Sequence, residues 1–238
     1  MNSFEITAKD ELEVWKRKLL KRSGVLNRVT KKAQLKMNKI IPEKVHKVIT
    51  DSIKNMVKVT LTGSKMTVNQ SLKIPSTLQE KEELMKERLD VYRKTATIEG
   101  AGTGAGGIML GLADFPLLLS IKMKYLFEAS TIQGYDVKQY EERLFILHVF
   151  QLAFSSDEHR QEILSIIENW DDEVERLKDM DWRKFQQEYR DYIDFIKMLQ
   201  LIPGIGAVVG AYANYQLLDQ LGETAKFAYR IRYFGKRG

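Results

Sequence analysis

The chain has 238 residues, of which 44% are hydrophobic and 29% charged, a composition that supports a folded core and excludes a disordered or collagen-like chain. It contains no cysteine, so a disulfide framework, a thiol nucleophile and a Cys-ligated metal centre are excluded as well. The net charge of +6 is unevenly spread: residues 1–75 hold 17 Lys/Arg against 6 Asp/Glu, whereas residues 136–200 hold 9 against 16. Basic ends around an acidic middle point to an anionic surface as partner, or to the solvated faces of Lys-rich helices. The first ten residues carry acids and no apolar run, so no secretory leader is expected, and a cytoplasmic location is the default reading.

Nearly all of the chain has helical period. Leu12, Trp15 and Leu19 recur at three and four residues. Val45, Val48, Ile49, Ile53, Met56 and Val57 do the same, with Lys44, Lys47, Lys54 and Lys58 off that stripe, so this segment is a basic amphipathic helix. Pro42 suits its first turn, and the helix is expected to run through about Leu61, although Val57–Thr62 also fits a short strand. Ser76 and Gln79 form a capping-box signature ahead of a charged helix over Thr77–Lys94. Further helices are predicted over Val137–Phe154, Asp157–Trp170 and Trp182–Leu199. The fold class is therefore all-α: a basic N-terminal helical region, residues 1–75, and a helical domain, residues 76–238, expected to form one structural unit.

Two segments depart from this pattern. Gly100–Ile121 carries one charge, Asp114, in 22 residues, and Met198–Leu218 carries none in 21. Both approach the length that crosses a bilayer. The first is interrupted by Gly100, Gly102, Gly104, Gly106, Gly107 and Pro116, the second by Pro203, Gly204, Gly206 and Gly210, with Asn214 further on. Small residues let helix backbones approach closely, and Gly206 and Gly210 have the corresponding spacing. The segments read as buried helices packed on each other, as hairpins lying in a membrane interface, or as spans. Asp114, two residues ahead of Pro116, reads as the cap of a helix that Pro116 opens.

Motifs for chemistry are sparse. Gly102, Gly104 and Gly107 match a dinucleotide fingerprint, but no buried strand precedes them and no P-loop follows, so no nucleotide is expected. His148 lies in an apolar run and reads as a core histidine with a backbone partner; His159 reads as exposed in a first helical turn, and His46 sits among lysines. Trp182, Tyr189, Tyr192 and Phe195 form an aromatic stripe that reads as core. No nucleic-acid reader motif accompanies the basic charge, and no metal site or cofactor is expected.

The stretch from Ile98-Glu99-Gly100 through Gly106-Gly107, then Ala113-Asp114-Phe115-Pro116 and Gly134-Tyr135-Asp136, resembles the EcsC family. So do Ile202-Pro203-Gly204-Ile205-Gly206 through Gly210, with Asn214, Leu218 and Ala225, and the aromatic-basic tail from Phe227 to Phe234. The resemblance implies a helical bacterial protein of the Gram-positive type, whose founding member is encoded beside the components of an ABC transport system. It implies no catalytic residues.

Two classes of function follow. The first is a non-enzymatic protein at the inner face of the cell membrane, beside transporter proteins, with Lys44, Lys47, Lys54, Lys58, Arg230 and Arg232 facing anionic lipid. The second is a hydrolase or metal-dependent enzyme in which Glu99, Asp114 and Asp136 gather at one end of the apolar segments.

Overall fold

A computed structural model of the chain describes residues 1–21, 43–63, 73–103, 107–157, 159–179 and 207–236; for 45–46, 97–103, 107–114 and 207–214 it describes the backbone alone. Among the described residues there are eight helices and no strand: α1 (Ser3–Leu20), α2 (Glu43–Thr62), α3 (Leu78–Thr103), α4 (Gly107–Gln133), α5 (Tyr140–Phe154), α6 (Arg160–Glu168), α7 (Trp170–Lys178) and α8 (Ala207–Gly235). The all-α class matches the periodicity. The expected helix over Trp182–Leu199 and its aromatic stripe lie outside the described residues, as does Pro42.

Helix ends follow local chemistry. Asn2 and Glu5 exchange side-chain-to-backbone hydrogen bonds at 2.8 and 2.9 Å and start α1. α2 continues through Val57–Thr62, because Ile53, Met56, Val57, Thr60 and Leu61 keep one buried face, and it stops at Gly63, whose φ of +67° suits glycine. The capping box of α3 stands one residue later than the Ser76/Gln79 signature. Thr77 Oγ1 accepts the Glu80 N–H at 3.2 Å, and the Glu80 carboxylate accepts the Thr77 N–H and hydroxyl at 3.2 and 2.8 Å. An ionised acceptor makes the stronger box, and this register buries Leu78 in the first turn. α3 also runs beyond the expected end at Lys94, through Gly100 and Gly102.

α4 overturns the capping role assigned to Asp114. The helix starts at Gly107 and carries Pro116 in its interior, so Asp114 lies within the helix and Pro116 does not open it. Proline there deprives the Leu112 carbonyl of its helical donor. At the other end Gly134, with φ of +94°, closes α4: its N–H bonds Thr131 O at 2.9 Å and the Tyr135 N–H bonds Ser130 O at 3.1 Å, a Schellman motif. The single helix expected over Asp157–Trp170 is broken at Asn169, whose backbone N–H and side-chain amide both bond Ser165 O, at 3.0 and 2.9 Å. Trp170 then begins α7, with Asp171, Asp172 and Glu173 in its first turn and Arg176 and Lys178 in its last, as the helix dipole favours.

The core forms around α5, which is buried without interruption from Leu144 to Phe154. A helix apolar on every side must be enclosed, and α2, α4, α6, α7 and α8 enclose it. α1 joins the same body through Trp15, stacked on Phe227 of α8 at 4.7 Å. α3 pairs antiparallel with α4, through Arg88 and Glu128 at 2.6 Å, and antiparallel with α8, through Glu82 and Arg230 and through Arg93 and Asp219.

Between α3 and α8 the backbones come close enough that a Cβ on Gly222 falls 2.3 Å from Leu89 Cδ2. Gly222→Ala is therefore expected to cost about 1–3 kcal/mol by overpacking. In urea unfolding, pairing it with Leu89→Ala should cost less than the sum of the single changes, because the smaller side chain vacates the clash. Additive losses would contradict the contact.

Candidate functional surface and buried charge network

α2 divides by face. Ile49, Ile53, Met56, Val57 and Leu61 are buried in the shared core, while Lys44, Lys47, Lys54 and Lys58 are exposed on the opposite side, with Asp51 among them. A Leu61-to-Arg143 bond of 2.9 Å, from the guanidinium Nε–H to the carbonyl, ties the end of the helix to the start of α5. The apolar half of this amphipathic helix is consequently already spent on folding. What it offers outward is a row of ammonium groups.

Arg230 and Arg232 do not belong to that outward charge. Arg230 is 2% exposed. Its Nε and Nη2 donate to the two Glu82 oxygens at 2.5 and 2.6 Å, and its Nη1 donates to Ala8 O at 3.1 Å and to Glu11 at 2.8 Å. Arg232 lies between the rings of Tyr135 and Phe145, 3.8 and 4.2 Å from their centroids, and donates to Glu142 at 2.5 Å. Glu142 is itself buried and also accepts the hydroxyls of Ser130 and Tyr229 at 2.7 and 2.9 Å. A buried charge survives only when paired and hydrogen-bonded, and both arginines meet that condition inside the protein. They do not face lipid.

The remaining candidates separate along the long helices. Gly104, Gly106, Pro203 and Gly206 lie outside the described residues. Glu99 is in the last turns of α3, Asp114 early in α4, and Gly210 and Asn214 early in α8. The antiparallel register set by Arg230–Glu82 and Asp219–Arg93, continued along both backbones, brings Gly210 to the level of Gly102. The glycine-rich ends of α3 and α8 thus share one end of the bundle with the start of α4. Asp136 is elsewhere. It sits in the exposed turn after Gly134, accepting the Lys138 N–H at 2.9 Å and the Gln139 amide at 3.4 Å. The 19 residues from Asp114 to Gln133 alone span about 28 Å of helix. Asp136 therefore cannot join Glu99 and Asp114 in one carboxylate cluster. Among the described residues no group of three or more His, Asp or Glu is placed to hold a metal ion, and no described helix is long and apolar enough to cross a membrane.

His148 is the core histidine the sequence implies: its Nδ1 is 2.8 Å from Leu144 O, it packs edge-on against Trp170, and burial lowers its pKa to about 4. His159 stands at the start of α6, with Glu162 at 3.9 Å. Periodicity did not find Lys122, a fully buried lysine of α4 whose pKa burial lowers to about 7. Nor did it find the buried carboxylates Glu128 and Glu142. The available signal was a pair of basic residues two apart inside an apolar run, Lys122 with Lys124 and Arg230 with Arg232.

The model of the EcsC protein family matches residues 7–234. The chain belongs to the EcsC family. It is 51% identical to Protein EcsC of Bacillus subtilis (strain 168) over 232 residues, covering 98% of this chain and 97% of that one. It is also 33% identical over 142 residues to the uncharacterized protein YdbA of the same organism, covering 58% of this chain and 52% of the relative. No solved structure matches. The family match extends over α1, so the helix that meets Arg230 through Ala8 and Glu11 is part of the EcsC fold.

Lys122 generates a pH prediction. Its folded pKa, about 7, lies below the ordinary 10.5, so the unfolded chain binds more protons between those values. Stability should therefore rise with pH across that window. Lys122→Met should raise stability at pH 7 and flatten the rise between pH 7 and 10, measured by chemical denaturation at several pH values. An unchanged pH profile would contradict the assignment.

Proposed function

We propose that this EcsC-family chain is a non-enzymatic helical protein that works at the cytoplasmic face of the cell membrane, in association with an ABC transport system. The observation that carries this reading is the face of α2. Its Lys44, Lys47, Lys54 and Lys58 are exposed while its apolar side is buried, so attachment runs through charge and not through insertion of that helix. Lysines near an anionic leaflet contribute about 1 kcal/mol each, so the four together supply about 4 kcal/mol, roughly a thousandfold in partition. The sequence between α1 and α2, residues 22–42, adds six Lys/Arg and no acid. The transporter association rests on the genomic neighbourhood implied by the family resemblance. Its physical support is that a protein held at the leaflet by charge is confined to the surface on which a transporter's cytoplasmic parts lie.

Co-sedimentation of the full chain with phosphatidylglycerol-containing vesicles tests the proposal. The chain should pellet at low salt, be released at 0.5 M salt, where the Debye length falls to about 4 Å, and stay in solution with purely phosphatidylcholine vesicles. Exchanging the four lysines for glutamate should abolish pelleting without changing the far-UV spectrum. A wild-type chain that remains in solution with anionic vesicles at every salt concentration overturns it.

A further inference from the structure

A groove of about 770 Å³ runs between α3 and α8, separate from the lysine face of α2. Its size falls in the range of small-molecule sites. Met85 and Leu89 of α3 make an apolar floor. At its inner end lies Tyr125 of α4, 1% exposed, whose hydroxyl has no hydrogen-bond partner among the described residues. Because Tyr125 lines the groove, its hydroxyl is open to a ligand there.

The rim carries uncommitted charge of both signs. The α3–α8 register sets Lys86 opposite Lys226, and neither makes an ion pair among the described residues; Lys226 only overlies the Phe227 ring. Glu83 and Glu223 flank this pair, one turn to either side, and they too form no ion pair among the described residues, Glu83 accepting only the Gln79 amide at 3.0 Å. The other charges of the lining are already compensated: Glu82 by Arg230, and Arg93 by Asp90 and Asp219. A simple anion would meet the two carboxylates, and a simple cation the two ammonium groups. The complementary ligand is one that carries both charges.

We propose that this groove binds a zwitterionic amphiphile, a phosphodiester bearing an ammonium group and an apolar tail. The phosphate lies between Lys86 and Lys226, the ammonium meets the flanking carboxylates Glu83 and Glu223, and the tail covers Met85 and Leu89. The Tyr125 hydroxyl donates to an ester oxygen of the ligand. This site is independent of the charge-driven attachment through α2.

Titration calorimetry of the full chain tests it, using dihexanoylphosphatidylethanolamine below its micellar concentration, dihexanoylphosphatidylglycerol, and phosphoethanolamine without a tail. The zwitterionic lipid should bind one to one and about tenfold more tightly than either of the others. Lys86→Glu with Lys226→Glu, both on the rim, should weaken it about tenfold, and Tyr125→Phe about threefold to tenfold with no loss of melting temperature, because no internal hydrogen bond is removed. The α2 variant with four glutamates should bind it as the wild type does, so that failure of surface attachment and failure of this site remain distinguishable. Absence of saturable binding, tighter binding of the anionic lipid, equal binding of phosphoethanolamine, or indifference to the Lys86/Lys226 exchange overturns the proposal.

Discussion

The guanidinium of Arg230 joins three helices that are distant in sequence: α8, which carries it; α3, which meets it with both oxygens of Glu82; and α1, which meets it with the Ala8 carbonyl and Glu11. At 2% exposure this cation has no access to water that could replace a missing partner. The fork of an arginine accepts few arrangements of a carboxylate, and a bidentate pair fixes direction as well as distance. It therefore sets the register of α3 against α8. That register places Gly222 on Leu89, aligns Arg93 with Asp219, and carries the glycine-rich ends of the two helices to one end of the bundle.

A second buried network holds the other side of α8. Glu142 of α5 collects Arg232, Tyr229 and Ser130, and the Tyr135 and Phe145 rings cover the guanidinium. Arg230 and Arg232 of the basic tail are in this way consumed internally. On α2, by contrast, four lysines stand exposed where the apolar side of the helix is already buried. A chain of net +6 thus presents a lysine row on one helix while burying cations on another.

Periodicity made the helices legible because burial and helical spacing coincide in α1, α2 and α6, whereas α5 reads as a nearly unbroken apolar run. It was less reliable at boundaries, where a single side chain decides. Thr77 displaces Ser76 because Glu80 is a better acceptor than Gln79 is, and Asn169 cuts one expected helix in two by satisfying Ser165 O twice. Asp114 and Pro116 matched a helix start in sequence, yet α4 runs from Gly107 through both, since the surrounding apolar run sustains helix on either side of the proline. Arg230 and Arg232 were misread for a different reason. Charge along a sequence gives a sign and a position, but whether an arginine faces water depends on partners far away in the chain, here Glu82 and Glu142. The pairing of α3 with α8 across more than a hundred residues, and with it the groove, had no sequence signal of its own.

The central claim is that Arg230 organises the fold from inside and is no part of the charged surface. A double-mutant cycle of Arg230→Gln and Glu82→Gln, followed by urea unfolding, tests it most directly. Arg230→Gln should cost about 3–5 kcal/mol, since it strands the Glu82 carboxylate; Glu82→Gln should cost less, because Glu11 still pairs with Arg230, and the double variant should cost clearly less than the sum. Losses within about 0.5 kcal/mol for the single changes, with no coupling between them, are what a surface arginine gives and would contradict the account.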